Sequence, residues 1–483
     1  MRSRRPDSVL GLLGLLLRTW RAANPRAFQR AALLGGGVAL SGAAALVAGL
    51  SARPCVAPRV EARASAPASR LVSLVPARCE VSARMCFRDS DCGGHDRCVD
   101  ASGVTAIVHG LMAQARANGD DDASFLATVA WSGSRYGVAW VGLKDERFSI
   151  NFAQVSAEGA RVGGVVRVAQ GAGTNALILP SLAASPSGWA LGWTEVSEDG
   201  VGAHFQRLNA NGQAEGRAEA LESGFNAAPR LVWNGREYAA AWYNVGVTSQ
   251  MSLHFARIGA DGKRVGRTST AARGFLTAGA FGFAFTGDAY GLGWTNTDPR
   301  DERSETLFVR VGAGGEAGNV LRVGPNATPN LSLALAWNGR HFGAVWEDNL
   351  NAEDDTPTSR LIFAGLTPSG VAVPRRALSD GRRLVIGPSL AAQGERFSLA
   401  STVVSNDGID VELQGLSAQG APEGQPVRVT QGEVGALPSL VFTGREYGLA
   451  YTQLDAQGIS IQFARYDTSL RRIGRGAVIS AAP

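Results

Sequence analysis

A short aromatic segment recurs at nearly constant spacing through the C-terminal three quarters of this 483-residue chain. Each copy runs aromatic, small, apolar, small, aromatic, as in YGVAW ending at Trp140. The copies end at Trp140, Trp193, Trp242, Trp294, Trp346, Ser401 in a degenerate FSLAS, and Tyr451. Successive spacings are 53, 49, 52, 52, 55 and 50 residues. Seven copies in one register restrict the chain to a repeat architecture.

A second landmark keeps the same register. Short glycine-containing turns follow an apolar run in each repeat, at Gly159, Gly212, Gly262, Gly315, Gly370 and Gly420, with a glycine-free DTSL near Leu470. Such turns between alternating apolar runs are typical of β-hairpins, because glycine adopts the positive φ that they need. A large apolar residue stands just upstream at Phe152, Phe205, Phe255, Phe308, Phe363, Leu413 and Phe463. Both landmarks indicate strands joined by tight turns.

Each repeat contains four strand-like segments. Repeat three shows them as PRLVW, YAAAWY, LHFARI and a run after Gly266. Four short antiparallel strands in about 50 residues, repeated seven times, predict an all-β, seven-bladed β-propeller of four-stranded blades. A β-sandwich has no such period, and an open solenoid needs capping repeats. The spacing and the Trp-ended strand resemble kelch-like and other bacterial propeller repeats, without their paired glycines or Trp-Asp dipeptides. The Trp/Tyr set is expected in the core, with a carbohydrate-stacking platform as the alternative.

The N-terminal region predicts export. Residues 31–52 carry no charge and are long enough to cross a bilayer as a helix, and residues 1–30 are basic. The positive-inside rule then keeps 1–30 in the cytoplasm and places the rest outside. A cleaved signal peptide and an uncleaved anchor both fit, so the expected location is the cell envelope, either membrane-anchored or secreted. Residues 53–76 and 101–122 are expected to be linkers, and 123–483 the propeller.

Residues 77–100 form a cysteine-rich module. Four cysteines fall within 20 residues, at Cys79, Cys86, Cys92 and Cys98, and predict two disulfides of undetermined connectivity in an oxidising compartment. A zinc site with His95 is the alternative, but paired C-x-x-C spacing is missing. The run DSDC-x5-C resembles small modules of secreted myxobacterial proteins and the N-terminal cysteine-rich segment of Dickkopf-type proteins. Cys55 is left over, either free or paired between chains.

The net charge of +5 comes from the N-terminal quarter. Residues 1–122 hold 16 arginines against 10 acidic residues, so they carry +6, and the remainder carries about −1 by subtraction. Nucleic-acid binding by the propeller is therefore not expected. The membrane is expected to be contacted through the N-terminal segment alone.

No nucleophile motif stands out in the repeats. The motifs H-E-x-x-H and G-x-S-x-G and a phosphate-binding glycine loop are absent, and residues 123–483 contain no cysteine. His204 and His254 occupy one repeat position, aligned with Asn151 and Gln462, and are interpreted as outward strand positions rather than ligands. No catalytic residue and no cofactor are predicted.

The repeats differ most in the connection after their second strand. Repeat five has the longest one, EDNLNAEDDTPTSR, and loops on a rigid scaffold commonly carry function. A binding site is hypothesised at its five carboxylates, with calcium as a possible ligand because carboxylate oxygens suit it. These residues are Glu347, Asp348, Glu353, Asp354 and Asp355. A solvated insertion is the alternative.

The sequence thus favours a non-enzymatic binding or scaffolding propeller at the bacterial cell envelope, with a protein or glycan ligand. The alternative is an extracytoplasmic hydrolase or lyase with its site at the axial mouth of the ring. Convergent polar side chains would favour the enzyme, and an apolar rim would favour binding.

Overall fold

The computed structural model describes residues 77–79, 85–86, 98–100 and 122–480, with gaps at 146, 174, 198–199, 246–250, 275–280, 298–303, 327–331, 350–357, 406–407, 431 and 456. Every named element in these ranges is a β-strand. The predicted N-terminal helix over 31–52 lies outside the described residues. Within the ranges above, no helix long and apolar enough to cross a bilayer occurs.

The cysteine-rich segment contributes one small antiparallel sheet of order β2-β1-β3. Its strands are β1 (Ala77–Cys79), β2 (Met85–Cys86) and β3 (Cys98–Asp100). The backbone register places Cys79 opposite Cys98 and Ala77 opposite Cys86. The two disulfides stay a prediction, and Cys92 lies outside the described residues.

Five separate four-stranded antiparallel sheets follow the repeats. They are β8 (Ala176–Ser185), β9 (Gly188–Ser197), β10 (Gly200–Asn209) and β11 (Ala214–Ala220); β12 (Phe225–Trp233), β13 (Tyr238–Val245), β14 (Met251–Ile258) and β15 (Arg264–Gly274); β16 (Gly282–Phe285), β17 (Ala289–Thr297), β18 (Ser304–Gly312) and β19 (Leu321–Asn326); β20 (Leu333–Trp337), β21 (Phe342–Asn349), β22 (Ser359–Thr367) and β23 (Gly370–Ala377); and β24 (Leu384–Gln393), β25 (Arg396–Ser405), β26 (Gly408–Leu416) and β27 (Pro422–Arg428). Each sheet is a blade whose strands pair in chain order.

The first and last repeats merge in one eight-stranded sheet. Its strands are β4 (Ala123–Trp131), β5 (Arg135–Lys144), β6 (Arg147–Ser156) and β7 (Arg161–Gln170), with β28 (Val434–Phe442), β29 (Tyr447–Asp455), β30 (Gly458–Tyr466) and β31 (Arg472–Val478). A single parallel bridge, Ile459 to Ala123, joins the two halves. The prediction of a seven-bladed propeller is therefore wrong: the fold is an all-β propeller with five four-stranded blades and this larger sheet. The sequence period could not reveal the bridge, which depends on how the two ends of the ring meet.

The first strands of successive repeats contact one another around the ring, and β28 contacts β4. Tyr136 lies at this closing seam and donates a hydrogen bond from its hydroxyl to Glu446 Oε1 at 2.6 Å. Arg465 donates to both carboxylate oxygens of Glu446 at 2.6 and 2.7 Å and to the carbonyl oxygen of Glu158 at 2.8 Å. Burial alone would raise the pKa of Glu446, but these hydrogen bonds outweigh it and lower the pKa. A charged polar network thus ties the ends of the ring together.

The aromatic segments form the core between blades, as predicted. Trp140, Trp242, Trp294 and Trp346 are all nearly or fully buried. The small residues make room for the neighbouring blade: a Cβ added to Gly343 would lie 2.7 Å from the Phe397 ring. The small residues of the repeated segment therefore allow one blade to pack closely on the next. Their role is not confined to bringing strands close together near the axis.

A β-bulge interrupts the first strand of most repeats. The bulge residues Leu126, Leu179, Ala228, Gly387 and Leu437 have positive φ, and the strand register shifts there. In the last four, proline follows at once. The bulge frees a backbone N–H for the preceding blade: Ala228 N donates to Thr194 Oγ1 at 2.8 Å, and Leu437 N to Thr402 Oγ1 at 2.8 Å. Bulges thus serve the seams between blades.

Candidate functional site

Two kinds of connection lie on one edge of the ring. In a four-stranded meander, the connections between second and third strands and those between successive blades fall on the same side, which we call the joining rim. At the joining rim of the β12–β15 blade, Ser252 and His254 lie on β14 and Glu222 lies in the segment between β11 and β12. Ser252 and His254 face one side of the sheet because they are two residues apart.

These three side chains form a continuous hydrogen-bonded chain. The Ser252 Oγ lies 2.9 Å from His254 Nε2, and His254 Nδ1 lies 2.6 Å from Glu222 Oε2. A hydroxyl, an imidazole and a carboxylate in this order are the arrangement that activates a serine nucleophile. The two ring nitrogens of His254 are divided as that chemistry requires, with Nε2 toward the hydroxyl and Nδ1 toward the carboxylate.

Asn226 fixes the segment that carries Glu222. Its side-chain amide donates to the backbone oxygens of Glu222, Ser223 and Gly224 at 3.0, 3.1 and 3.0 Å. Its Oδ1 accepts from Trp242 Nε1 at 3.0 Å, and Trp242 Nε1 also lies 3.3 Å from Glu222 Oε2. Because Asn226 is completely buried, this network holds the carboxylate at a defined place beside the imidazole.

The site is partly enclosed and still reachable from solvent. The side chain of His254 is 14% exposed and that of Glu222 is 30% exposed. Trp242 packs edge-on against the imidazole, with ring centroids 6.0 Å apart, and the Arg264 guanidinium lies over the same indole. Ser252 is half-buried, and the packing of Trp242 and the hydrogen bond to Glu222 limit rotation of the His254 ring.

The serine position is shared by other repeats, but the full chain of groups is not. In β6, Asn151 Nδ2 donates to Ser149 Oγ at 3.0 Å, and in β30, Gln462 Nε2 donates to Ser460 Oγ at 3.1 Å. An amide cannot take a proton from a hydroxyl at neutral pH. Among the described blades that place serine here, the β12–β15 blade alone provides an imidazole backed by a carboxylate.

The β8–β11 blade has the histidine but lacks the serine. Its His204 occupies the position of His254 and lies 3.4 Å from Glu195 through Nε2, but Gly202 replaces the serine. His204 stacks on Trp193, and burial lowers its pKa. This blade therefore has a histidine–carboxylate pair without a nucleophile and serves as an internal comparison.

Two of the five carboxylates predicted to form a binding site lie in the described structure, and the site itself stays a prediction. Glu347 and Asp348 belong to β21 and are buried, whereas Glu353, Asp354 and Asp355 lie outside the described residues. Asp348 Oδ2 lies 3.1 Å from Arg360 Nη2. No group of three or more His, Cys, Asp or Glu side chains suited to a metal ion occurs where the structure is described.

Glu347 faces the seam with the next blade. Its Oε1 accepts hydrogen bonds from the Ser332 hydroxyl and, at 2.7 Å, from the backbone N–H of the bulge residue Gly387. Thr194 and Thr402 accept the corresponding bulge N–H from the next blade at their own seams. Glu347 is thus a carboxyl group at a position where threonine suffices, and burial raises its pKa to about 7.

Sequence reasoning placed His254 on a strand, where the structure has it, but did not connect it with Ser252 or Glu222. The motif Ser252-Leu253-His254 is visible, whereas the third member, Glu222, is 30 residues upstream in the preceding connection. The signal was therefore a Ser-x-His strand whose preceding blade connection contains a glutamate. Recognising it requires knowing that both connections meet at one rim.

Comparison with known proteins yields distant similarity to solved propellers. No protein-family model and no curated protein matches the chain. The β-propeller domain of the Trilobed protease from Pyrococcus furiosus is 7% identical, with 74% of this chain and 98% of that chain covered and a TM-score of 0.47. A Mycobacterium tuberculosis puromycin-hydrolyzing peptidase is 13% identical, with 75% and 54% covered and a TM-score of 0.45. A Pyrococcus horikoshii acylaminoacyl peptidase is 11% identical, with 73% and 52% covered and a TM-score of 0.42. The chain thus spans about half the length of the two peptidases, and similarity of this degree says nothing about its activity.

Proposed function

We propose that the protein is a propeller hydrolase that cleaves acyl bonds, with Ser252 as nucleophile, His254 as general base and acid, and Glu222 as the group that orients His254. The observation that carries the proposal is the continuous Ser252–His254–Glu222 hydrogen-bonded chain at the joining rim. The site lies at the rim, on the third strand of a blade, and therefore away from the axial mouth that sequence reasoning favoured for an enzyme.

The geometry supports a two-step reaction. The Ser252 oxygen attacks the substrate carbonyl carbon while His254 Nε2 takes the hydroxyl proton, and the resulting imidazolium is stabilised through Nδ1–H by the Glu222 carboxylate. The tetrahedral adduct collapses to an acyl-serine, and the leaving alcohol or amine receives the proton from His254. Water then attacks the acyl-serine with the same histidine as base, which releases the carboxylic acid and restores the serine hydroxyl.

The proposal is tested by ester hydrolysis with the full chain. We expect turnover of p-nitrophenyl esters by the natural sequence, and a loss on the order of 10³-fold in kcat for Glu222→Gln, because an amide no longer fixes the imidazole tautomer or stabilises its cation. The matched control is Glu195→Gln, which changes the glutamate beside His204, where no serine is present. This control should keep the natural rate.

Two results would contradict the proposal. One is the absence of ester and anilide hydrolysis above background, which would leave binding or scaffolding without catalysis as the function. The other is equal activity of Glu222→Gln and Glu195→Gln, which would separate any hydrolysis from this site. Export of the propeller to the cell envelope stays a prediction in either case.

A further inference from the structure

The strand beside Ser252 carries an arginine at the same level. In the antiparallel pair of β14 and β15, Ser252 lies opposite Arg273. Directly opposite residues of such a pair project from the same face of the sheet with their Cβ atoms about 5 Å apart. Arg273 therefore lies directly across from the candidate nucleophile, within reach of its long side chain.

Among the described residues, Arg273 is not part of the hydrogen-bond network that stabilises the site. Its side chain is exposed, and neither a hydrogen bond nor an ion pair engages it in the part of the chain that the structure describes. Arg264, on the same strand, differs: it lies over Trp242 and donates hydrogen bonds to Thr268 Oγ1 and the Leu221 backbone oxygen. The surrounding network thus uses Arg264 for support and leaves the donors of Arg273 unused.

A cation held beside the reacting oxygen selects substrates by charge. We infer that Arg273 is a specificity residue that binds a carboxylate on the acyl part of the substrate, so that the preferred substrates are hemi-esters or acyl compounds with a second, ionised carboxyl group. This inference rests on the proposed hydrolase function and adds its substrate class. A guanidinium offers two parallel N–H donors to one carboxylate, a geometry that a lysine ammonium does not reproduce.

The test compares two esters of similar size, p-nitrophenyl butyrate and the hemi-ester p-nitrophenyl succinate, with the full chain. We expect kcat/KM of the natural sequence to be about tenfold higher for the hemi-ester, the size of one charge-assisted hydrogen bond. Arg273→Met should remove this preference, mainly through a higher KM for the hemi-ester, and Arg273→Lys should restore part of it. Arg267→Met is the matched control, since Arg267 is an exposed arginine on the same strand that does not pair with Ser252.

The outcomes separate the two proposals. Hydrolysis of both esters without a preference that depends on Arg273 would overturn the specificity role and leave the hydrolase intact. An equal loss for both esters in Arg273→Met would also overturn it, because that result assigns the arginine to the reacting oxygen or to the fold. If neither of these two esters nor any other ester or anilide is hydrolysed, the hydrolase proposal is overturned. The specificity role of Arg273 is then overturned with it.

Discussion

Replacing Ser252 by alanine should lower kcat for ester hydrolysis by on the order of 10³-fold or more, because the oxygen that forms the acyl intermediate is removed. The same loss is expected for His254→Ala. The double variant should be no slower than either single one, since a nucleophile and its base act as a unit and their effects do not add. Steady-state rates of the three variants on one p-nitrophenyl ester measure this.

Matched controls come from the other repeats. Ser460→Ala removes a hydroxyl at the same blade position, where the partner is the Gln462 amide rather than an imidazole. It should keep the natural rate, and both alanine variants should keep the same melting temperature within a few degrees. Equal loss in Ser252→Ala and Ser460→Ala, or additive loss in the double variant, would assign the serine position to the fold of the blade.

Replacing Glu347 by glutamine should stabilise the protein at pH 8 and remove part of its pH dependence. The Glu347 side chain is fully buried in a seam and is held by a backbone N–H and a hydroxyl, with no cation among its hydrogen-bond partners. Desolvation therefore disfavours the ionised carboxyl, and the pKa rises from 4.5 to about 7.

The direction of the pH effect follows from that shift. Below pH 4.5 the carboxyl is protonated in both the folded and the unfolded chain, so it contributes no pH dependence. As pH rises from 4.5 to about 7, the unfolded chain ionises first, and the folded state loses roughly 3 kcal/mol of stability relative to it. Above pH 7 the effect is constant. Stability is thus lost with rising pH, the reverse of the behaviour of a salt-bridged carboxylate.

Chemical denaturation at pH 5 and pH 8 measures the effect. Glu347→Gln keeps an oxygen that can accept the Gly387 N–H, so the difference between the two pH values should shrink by roughly 2.5 kcal/mol relative to the natural sequence. Glu347→Thr introduces the residue that Thr194 and Thr402 provide in their own seams and should show the same reduced pH dependence. An unchanged pH dependence in both variants would show that Glu347 is ionised and solvated in the folded protein.

The repeats allowed the blade architecture to be predicted because the information is local. A Trp-ended strand such as YAAAW and the turn at Gly262 lie within one repeat, and each implies its own strand or hairpin without reference to distant residues. The four-stranded order and the burial of Trp242 follow from that pattern. The number of separate blades does not, because the Ile459–Ala123 bridge joins the two ends of the repeat region.

The contacts at the seams between blades were harder to predict, although the sequence contains a periodic feature that marks them. Pro180, Pro229, Pro388 and Pro438 recur one residue after the bulge, and this second periodic feature marks where each first strand departs from regular pairing. The burial of Glu347 was not predicted, for a related reason. Glu347 opens an acidic run that resembles a solvated connection, yet β21 extends through Asn349 and buries the first two carboxylates, with Glu347 in the seam.

The candidate site could not be predicted in full because its residues come from two different connections that meet at the joining rim. Ser252 and His254 are neighbours on one strand, so their contact was predictable from the two-residue strand period. Their partner Glu222 reaches them only because the segment between β11 and β12 passes the start of β14, where Asn226 holds it. Side-chain hydrogen bonds of this kind depend on packing between blades, which a linear pattern does not encode.

The most direct measurement is covalent labelling of the full chain with a fluorophosphonate, which reacts with serines that an adjacent base has activated. We expect a single phosphonylated serine at Ser252, identified by peptide mass mapping, and loss of that label in His254→Ala and in Glu222→Gln. Ser149 and Ser460, whose hydrogen-bond partners are amides, should stay unmodified. The absence of label on Ser252, or equal labelling of Ser252 in the natural sequence and in His254→Ala, would contradict activation of Ser252 by His254.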